Sequence, residues 1–455
     1  MRSRATHLAV AVVLLGVGLM LPRIFAQEPP AAPPSQPQED QPPNVTIVLD
    51  QKGQKPIKLG IPPFRRLSAL SGGAAQAAQE LEQVVRQDLQ NSGYFQISGP
   101  EAFQGLQLTG DFARDLEAYR TTGVETLLIG DLRAEADKIV FEGRLFDVAS
   151  GQAILAKRYR GAFPVARRVG HTFADEVILF LTGKRGVSLS SIAFTSDRTG
   201  QKEIWVMDYD GQNQRRITGH RSTSMSPSWS PDNESLAYTS FFNGPPGIYL
   251  AELASGRKQP IVNSGSLNTT PTFSPDGQRV AFARSVDGNV EIFSTGRGGG
   301  SLRRLTHSGA IDTNPAWSPS GGQIAFTSGR AGNPHLYLMD EEGSNQRRLT
   351  FEGDYNDGAA WSPTGDLIAY TSRRGGRFQI AVTNVVTLGT QILTSGAGEN
   401  ESPTFSPDGR KIVYVSRRSG TKQLYVMDLD GGNARPLTRE GNNDMPDWSR
   451  LPAER

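Results

Sequence analysis

An aromatic residue followed by serine returns six times along the second half of the chain. The pairs are Trp229-Ser230, Phe273-Ser274, Trp317-Ser318, Trp361-Ser362, Phe405-Ser406 and Trp448-Ser449, at intervals of 44, 44, 44, 44 and 43 residues. A period of 40–50 residues made of short strands signals a β-propeller, in which each unit is one blade that buries its faces only by stacking on its neighbours. Every unit reads alike. An inner strand ends in the aromatic residue, and a tight turn such as Ser274-Pro275-Asp276-Gly277 follows, with Pro preset for the second position. A buried strand (residues 280–283), a third strand (336–340 in the next unit) and an outer strand (346–350) complete the set of four.

The two ends of the repeat region complement each other. Residues 191–218 supply three strands but no aromatic inner strand, and residues 445–449 supply only that strand. Together they make one blade, so we expect six blades closed into a ring by the C-terminal strand. Closure leaves no open sheet edge.

Loops entering the inner strands should ring one mouth of the central channel. Five residues before each aromatic stand Asn268, Asp312, Asn356, Asn400 and Asn443, with Ser224 in the sixth unit. Two residues before it stand Pro227, Pro271, Pro315, Pro403 and Pro446, with Ala359 as the exception. Asp357, Glu401 and Asp444 fall between. Asn alone is explained by turn conformations, in which its side chain bonds nearby backbone. Several carboxylates on one ring are not, and we expect an acidic, acceptor-rich rim suited to a peptide or a cation. Other features read as structural. One Asp per turn is too few ligands for calcium. The Arg pairs at 215–216, 303–304 and 347–348 recur on outer strands as solvated faces. The glycines at 298–300 mark a hairpin and precede no helix, so they form no phosphate loop. His220, His307 and His335 share no repeat position, so no His-ligated metal centre is expected.

Before the repeats the chain changes character. Arg2 and Arg4 precede an apolar run from Leu8 to Leu21, and small Ala26 follows, which is the pattern of an export signal cut after Ala26. At 14 residues the run is short for a membrane span of roughly 20. Residues 1–26 are thus a signal peptide, and their removal takes away three arginines and no acid. The formal charge falls from +2 to −1, which excludes a nucleic-acid binder relying on a strong basic field. The chain has no Cys, so disulfides, a Cys nucleophile and a lipid anchor are excluded. Direct membrane insertion is not expected. Residues 27–43, with seven Pro in 17 positions, read as a semi-stiff linker. Residues 44–185 alternate strand and helix patterns and read as a small α/β domain, and residues 186–455 as the propeller. Helical spacing predicts helices over 74–91 and 111–120 and a last one from Pro164 to Thr182; strands are expected near 57–61, 94–97, 124–130, 139–147 and 154–159. His171 lies in the last helix, where we expect a structural role.

Certain segments carry a resemblance: Asn44–Asp50 followed by Gly60-Ile61-Pro62-Pro63-Phe64, residues 89–95 (LQNSGYF), Gly170-His171-Thr172 with Asp175-Glu176-Val177, and Tyr425-Val426-Met427-Asp428. With the repeats, they make the chain resemble the TolB family of periplasmic Tol-Pal proteins over nearly everything after the linker. The resemblance implies a monomeric, non-enzymatic scaffold in the periplasm, without cofactor or metal. It would bind the lipoprotein Pal at the channel mouth and TolA through an N-terminal segment, with other outer-membrane lipoproteins as further partners, and support outer-membrane integrity and constriction during division. On this chain the Pal-contacting loops map to the segments before Phe273 and Trp317, so Thr270 and Thr313 join the mouth residues. A family His in the first loop has no counterpart, because Leu267 stands there. The TolA segment maps to Val45, Thr46, Ile47, Val48 and Leu49, here preceded by the Pro-rich stretch. The competing reading is an exported propeller that binds or processes a glycan or peptide in an acidic channel. No Gly-x-Ser-x-Gly elbow is present to make it a hydrolase.

Overall fold

The computed structural model describes residues 55–106, 109, 111–396 and 398–452. The expected export signal, the Pro-rich stretch and the segment Val45–Leu49 lie outside these residues. Among the described residues no helix is long and apolar enough to cross a membrane.

The first part is an α/β unit. Strand β1 (Ile57–Gly60) lies parallel between β3 (Phe95–Ser98) and β4 (Thr126–Glu135), while β2 (Arg65–Arg66) extends the far end of β4. β4, β5 (Lys138–Asp147) and β6 (Ala153–Ala162) continue as an antiparallel meander. Helices α1 (Gly72–Asn91) and α3 (Ala166–Thr182) cover one face. They do so because Ala77, Ala78, Leu81, Val85 and Leu89 fall on one side of α1, and Phe173, Ala174 and Val177 on one side of α3. Gly143 of β5 is required there: a Cβ would sit 2.3 Å from the Phe173 ring. Helix α2 (Phe112–Arg120) lies on the other face, capped by Asp111, whose carboxylate accepts from the Ala113 amide at 3.0 Å. α1 begins two residues before the expected point. β4 and β6 run well past it, because Arg133, Arg158 and Arg160 pair with Glu135 and Glu142 across the exposed strand ends.

The second part is a ring of six four-stranded antiparallel sheets. Each second strand carries a run such as Val280-Ala281-Phe282 or Ile324-Ala325-Phe326 that is fully buried. Both faces of each blade press on a neighbour, so these strands are apolar throughout rather than alternating. In five blades the serine after the aromatic closes the first turn: its hydroxyl accepts the amide five residues on, at 2.9 Å for Ser274 and Arg279 and 3.0 Å for Ser318 and Gln323, while Ser449 accepts the Ser191 amide across the closing blade at 2.9 Å. The outer strands are shorter than expected, only Arg215–Arg216, Arg303–Arg304 and Arg347–Arg348 in three blades. The last blade is closed as the sequence implies: Asn443–Trp448 pairs antiparallel with Ser191–Ser196, Asn443 opposite Ser196 and Trp448 opposite Ile192.

The α/β unit packs on the end of the propeller that carries the Ser-Pro-Asp-Gly turns. Buried Asp88 of α1 accepts from His171 of α3 and from the Tyr209 hydroxyl of the propeller, both at 2.6 Å. Arg167 bonds Asp208 and Asp210, and Arg410 lies 4.1 Å from the Tyr94 ring centre. His171 is therefore an interface residue. Burial opposes its protonation, but the Asp88 carboxylate more than offsets this and raises its pKa. The opposite end, where the inner strands begin, is covered by none of the described residues.

Candidate functional site: the open mouth of the propeller channel

Each inner strand is broken by a bulge just inside this mouth. Pairing shifts register between Thr269 and Thr272, Thr313 and Ala316, Asp357 and Ala360, and at the matching places of the other three blades. The residue at the centre of each bulge has positive φ: Ser226 (53°), Thr270 (53°), Asn314 (50°), Gly358 (69°), Ser402 (53°) and Met445 (50°). Only one of the six is glycine, so five blades hold a side chain in a conformation that costs about 1 kcal/mol or more. Proline follows in five blades, where the interrupted ladder has no use for an N–H. The bulge turns these six residues into the channel, where they line a cavity of about 450 Å³ together with Asp357 and the inner-strand aromatics.

The asparagine ring lies elsewhere. Asn268, Asp312, Asn356, Asn400 and Asn443 are at most 1% exposed and line no part of the cavity, and Ser224 is buried with them. This corrects the expectation that they face a partner. Two residues before the bulge, their side chains point into the seam between blades. Asn268 donates to the Pro246 and Ser264 carbonyls at 3.2 and 3.0 Å, and Asn443 to Gln423 and the Glu440 carbonyl, both at 2.9 Å. Asn400 bonds Gln379 at 3.0 Å, and Asn356 donates to His335 Nδ1 at 2.9 Å. Asp312 accepts from Arg330 at 2.9 Å, although burial pushes its carboxyl above the ordinary value.

These residues belong to a polar seam that sequence reading missed. Glu203, Glu291, His335, Gln379 and Gln423 stand at or within three residues of the start of the third strands, and a threonine fifteen residues later meets each side chain: Thr218, Thr306, Thr350, Thr394 and Thr438. The same threonine hydroxyls accept third-strand amides at 2.8–3.0 Å. A fixed offset of fifteen within the 44-residue repeat is the signal that would have found it. His335 fills the place of Gln or Glu, and burial, with Arg348 nearby, pushes its pKa down to about 4.

The carboxylates of the expected acidic rim are largely taken up by internal partners. Asp357 accepts from Asn314, Thr327, Tyr355 and the Gly358 amide at 2.6, 2.7, 3.1 and 2.7 Å. Lys422 stands 2.5 Å from Asp444 and 3.4 Å from Glu401. Burial works against its charge, but these two carboxylates hold the ammonium above its ordinary pKa. Arginines also stand around the mouth. Arg198, Arg330 and Arg418 each bond the serine two residues earlier, at 3.0, 2.8 and 3.0 Å, and each lies over a third-strand ring, at 4.6 Å from Trp205, 4.8 Å from Tyr337 and 4.6 Å from Tyr425. A recurring Ser-x-Arg after the second strand was the legible signal. Of the residues named from sequence, Thr270 and Asp357 line the cavity, while Thr313, Glu401 and Asp444 flank the bulges. The mouth is thus a mixed-charge collar around six constrained backbone turns, a surface suited to shape-specific docking of a macromolecule. Among the described residues no group of His, Asp and Glu is placed to hold a metal ion.

Comparison with known proteins agrees with this architecture. The model of the TolB beta propeller domain matches residues 179–452, and that of the TolB amino-terminal domain matches residues 45–154. The Tol-Pal system protein TolB of Geobacter sulfurreducens is 41% identical over 165 residues, covering 35% of this chain and 38% of that protein. Its counterpart in Geobacter metallireducens is 38% identical over 185 residues, covering 40% and 42%. The matched stretch is therefore about two fifths of the length of these curated relatives. The crystal structure of TolB from Acinetobacter baumannii superposes with a TM-score of 0.74 at 28% identity, covering 88% of this chain and 98% of that one. With its propeller matched from end to end and its amino-terminal domain matched beside it, the chain belongs to the TolB family.

Proposed function

We propose that the protein is a non-enzymatic scaffold of a periplasmic Tol-Pal system. It captures the lipoprotein Pal on the open channel mouth and TolA through the segment Val45–Leu49, and so supports outer-membrane integrity and constriction during division. The observation that carries this reading is the mouth itself: a cavity ringed by six bulged residues and left uncovered by the described residues, whose α/β unit packs on the other end. The backbone there is fixed before any partner arrives, which lowers the ordering cost of binding. The names of the relatives supply the partner class.

The test is capture of purified Pal by the mature protein. Thr270→Trp with Ser402→Trp fills the mouth without touching the buried seam and should abolish capture while the melting temperature holds. Asp312 is unsuited to such a test, because it is buried against Arg330. Undiminished capture by the folded double variant would remove the mouth as the site. Saturable binding of a muropeptide with no capture of Pal would favour the glycan-binding reading instead. Deleting residues 45–49 should cost TolA capture and leave Pal capture intact.

A further inference from the structure

The sheet face opposite α1 and α3 is only partly covered. Between it, α2 and the short helical turn Pro100–Phe103 lies a cavity of about 550 Å³. Its apolar wall is built from Ile129 of β4, Phe146 of β5, Phe103 and Phe112, the last stacked on Phe146 at 3.7 Å between centroids. Protein interiors hold few voids larger than a water molecule. Apolar cavities of this size with a few convergent polar groups are the usual form of small-molecule sites.

The polar end is formed by Arg65 and Arg144, which meet on Asp131, a residue 4% exposed. Arg65 donates through Nε and one terminal nitrogen to the two carboxylate oxygens at 2.5 and 2.8 Å, and Arg144 donates to one of them. One carboxylate thus serves two guanidinium groups. Arg144 Nε is buried and has no hydrogen-bond partner among the described residues. Asp115, the other acid in the wall, accepts from the amide and hydroxyl of Thr109 at 2.7 and 2.8 Å. A structural ion triad accounts for Arg65, which ties β2 to β4, but not for Arg144, whose side chain is 36% exposed, lines the aromatic cavity and donates to Asp131 through one terminal nitrogen only. A held guanidinium with a spare donor matches the planar acceptor pair of a carboxylate.

We propose that this cavity binds a small amphipathic carboxylate, its apolar body against Ile129 and the Phe112–Phe146 stack and its carboxylate on Arg144. The site lies in the other domain from the channel mouth and stands or falls separately from capture of Pal.

Titration calorimetry of the mature protein with 1-naphthylacetate and with 1-naphthaleneacetamide tests it. The acid should bind saturably, and the amide roughly tenfold or more weaker. Arg144→Leu should bring the acid down to the level of the amide while the fold holds, since Asp131 keeps Arg65. Ile129→Trp should abolish binding of both. No saturable binding of the acid, equal binding of acid and amide, or undiminished binding by folded Ile129→Trp would overturn the proposal. Should Ile129→Trp not fold, Arg144→Leu decides, and unchanged affinity for the acid there overturns it equally.

Discussion

Two rings of residues sit two positions apart on the same six inner strands, and they behave as opposites. The ring from Ser224 to Asn443 is nearly uniform in sequence, wholly buried and hydrogen-bonded into the seams between blades. The ring from Ser226 to Met445 is chemically mixed (two Ser, Thr, Asn, Gly and Met), lines the channel, and shares only a backbone conformation. The difference is instructive. Uniformity across repeats marks the position where every blade solves the same packing problem. Variety marks the position free to meet something asymmetric. A ring read for function from its recurrence is therefore most easily read at the wrong position.

Removing a member of both rings at once should have the largest effect. Deletion of residues 443–452 takes the closing strand, with buried Trp448 and the ladder to Ser191–Ser196, and exposes two sheet edges. The melting temperature should fall by roughly 10 °C or more; an unchanged thermogram would show that the ring does not depend on its clasp. Asn443→Ala touches only the buried ring. It takes one bond each from Gln423, Arg198 and the Glu440 carbonyl and should cost about 1–3 kcal/mol in urea unfolding, with capture by the folded fraction unchanged.

The seam also predicts a pH effect. His335 has a pKa of about 4 in the fold against an ordinary 6.5, so the unfolded chain takes up the proton first. Its contribution is complete above pH 6.5 and fades as pH falls toward 4. His335→Gln, the residue two other blades use, should gain roughly 2 kcal/mol over the parent by pH 4.5 and nothing at pH 8. A constant difference across that range would place His335 outside the seam. His171 has the opposite sign, its raised pKa giving stability that is present at low pH and lost as pH rises. The mouth ring should give the smallest stability effects. Gly358→Ala forces a side chain into positive φ and should cost about 1 kcal/mol. Ser402→Trp, already in that conformation, should change stability by less than about 0.5 kcal/mol yet block Pal; loss of stability without loss of capture would reverse the assignment of the two rings.

Much of this protein was legible along the chain. The period of 44, the aromatic-Ser-Pro turns and the split blade gave the propeller and its closure, because each depends on local turn chemistry and on strand alternation. The helices of the α/β unit followed from apolar spacing in the same way. The seam left a readable trace, the fifteen-residue offset from strand to threonine, but its meaning depends on which blade lies beside which. The bulge was not legible. Pro227, Pro271 and their counterparts mark its place, yet the register shift that buries Asn268 and turns Thr270 toward the channel exists only when two strands pair. Likewise Arg65 is 66 residues from Asp131 and meets it because β2 runs parallel beside β4, while Arg144 reaches the same carboxylate from the antiparallel β5. The sequence by itself determined the elements, their number and the ring. The tertiary structure decided which residues face outward, because side-chain direction in a sheet reverses with every residue of register and a single bulge is enough to exchange wall for mouth.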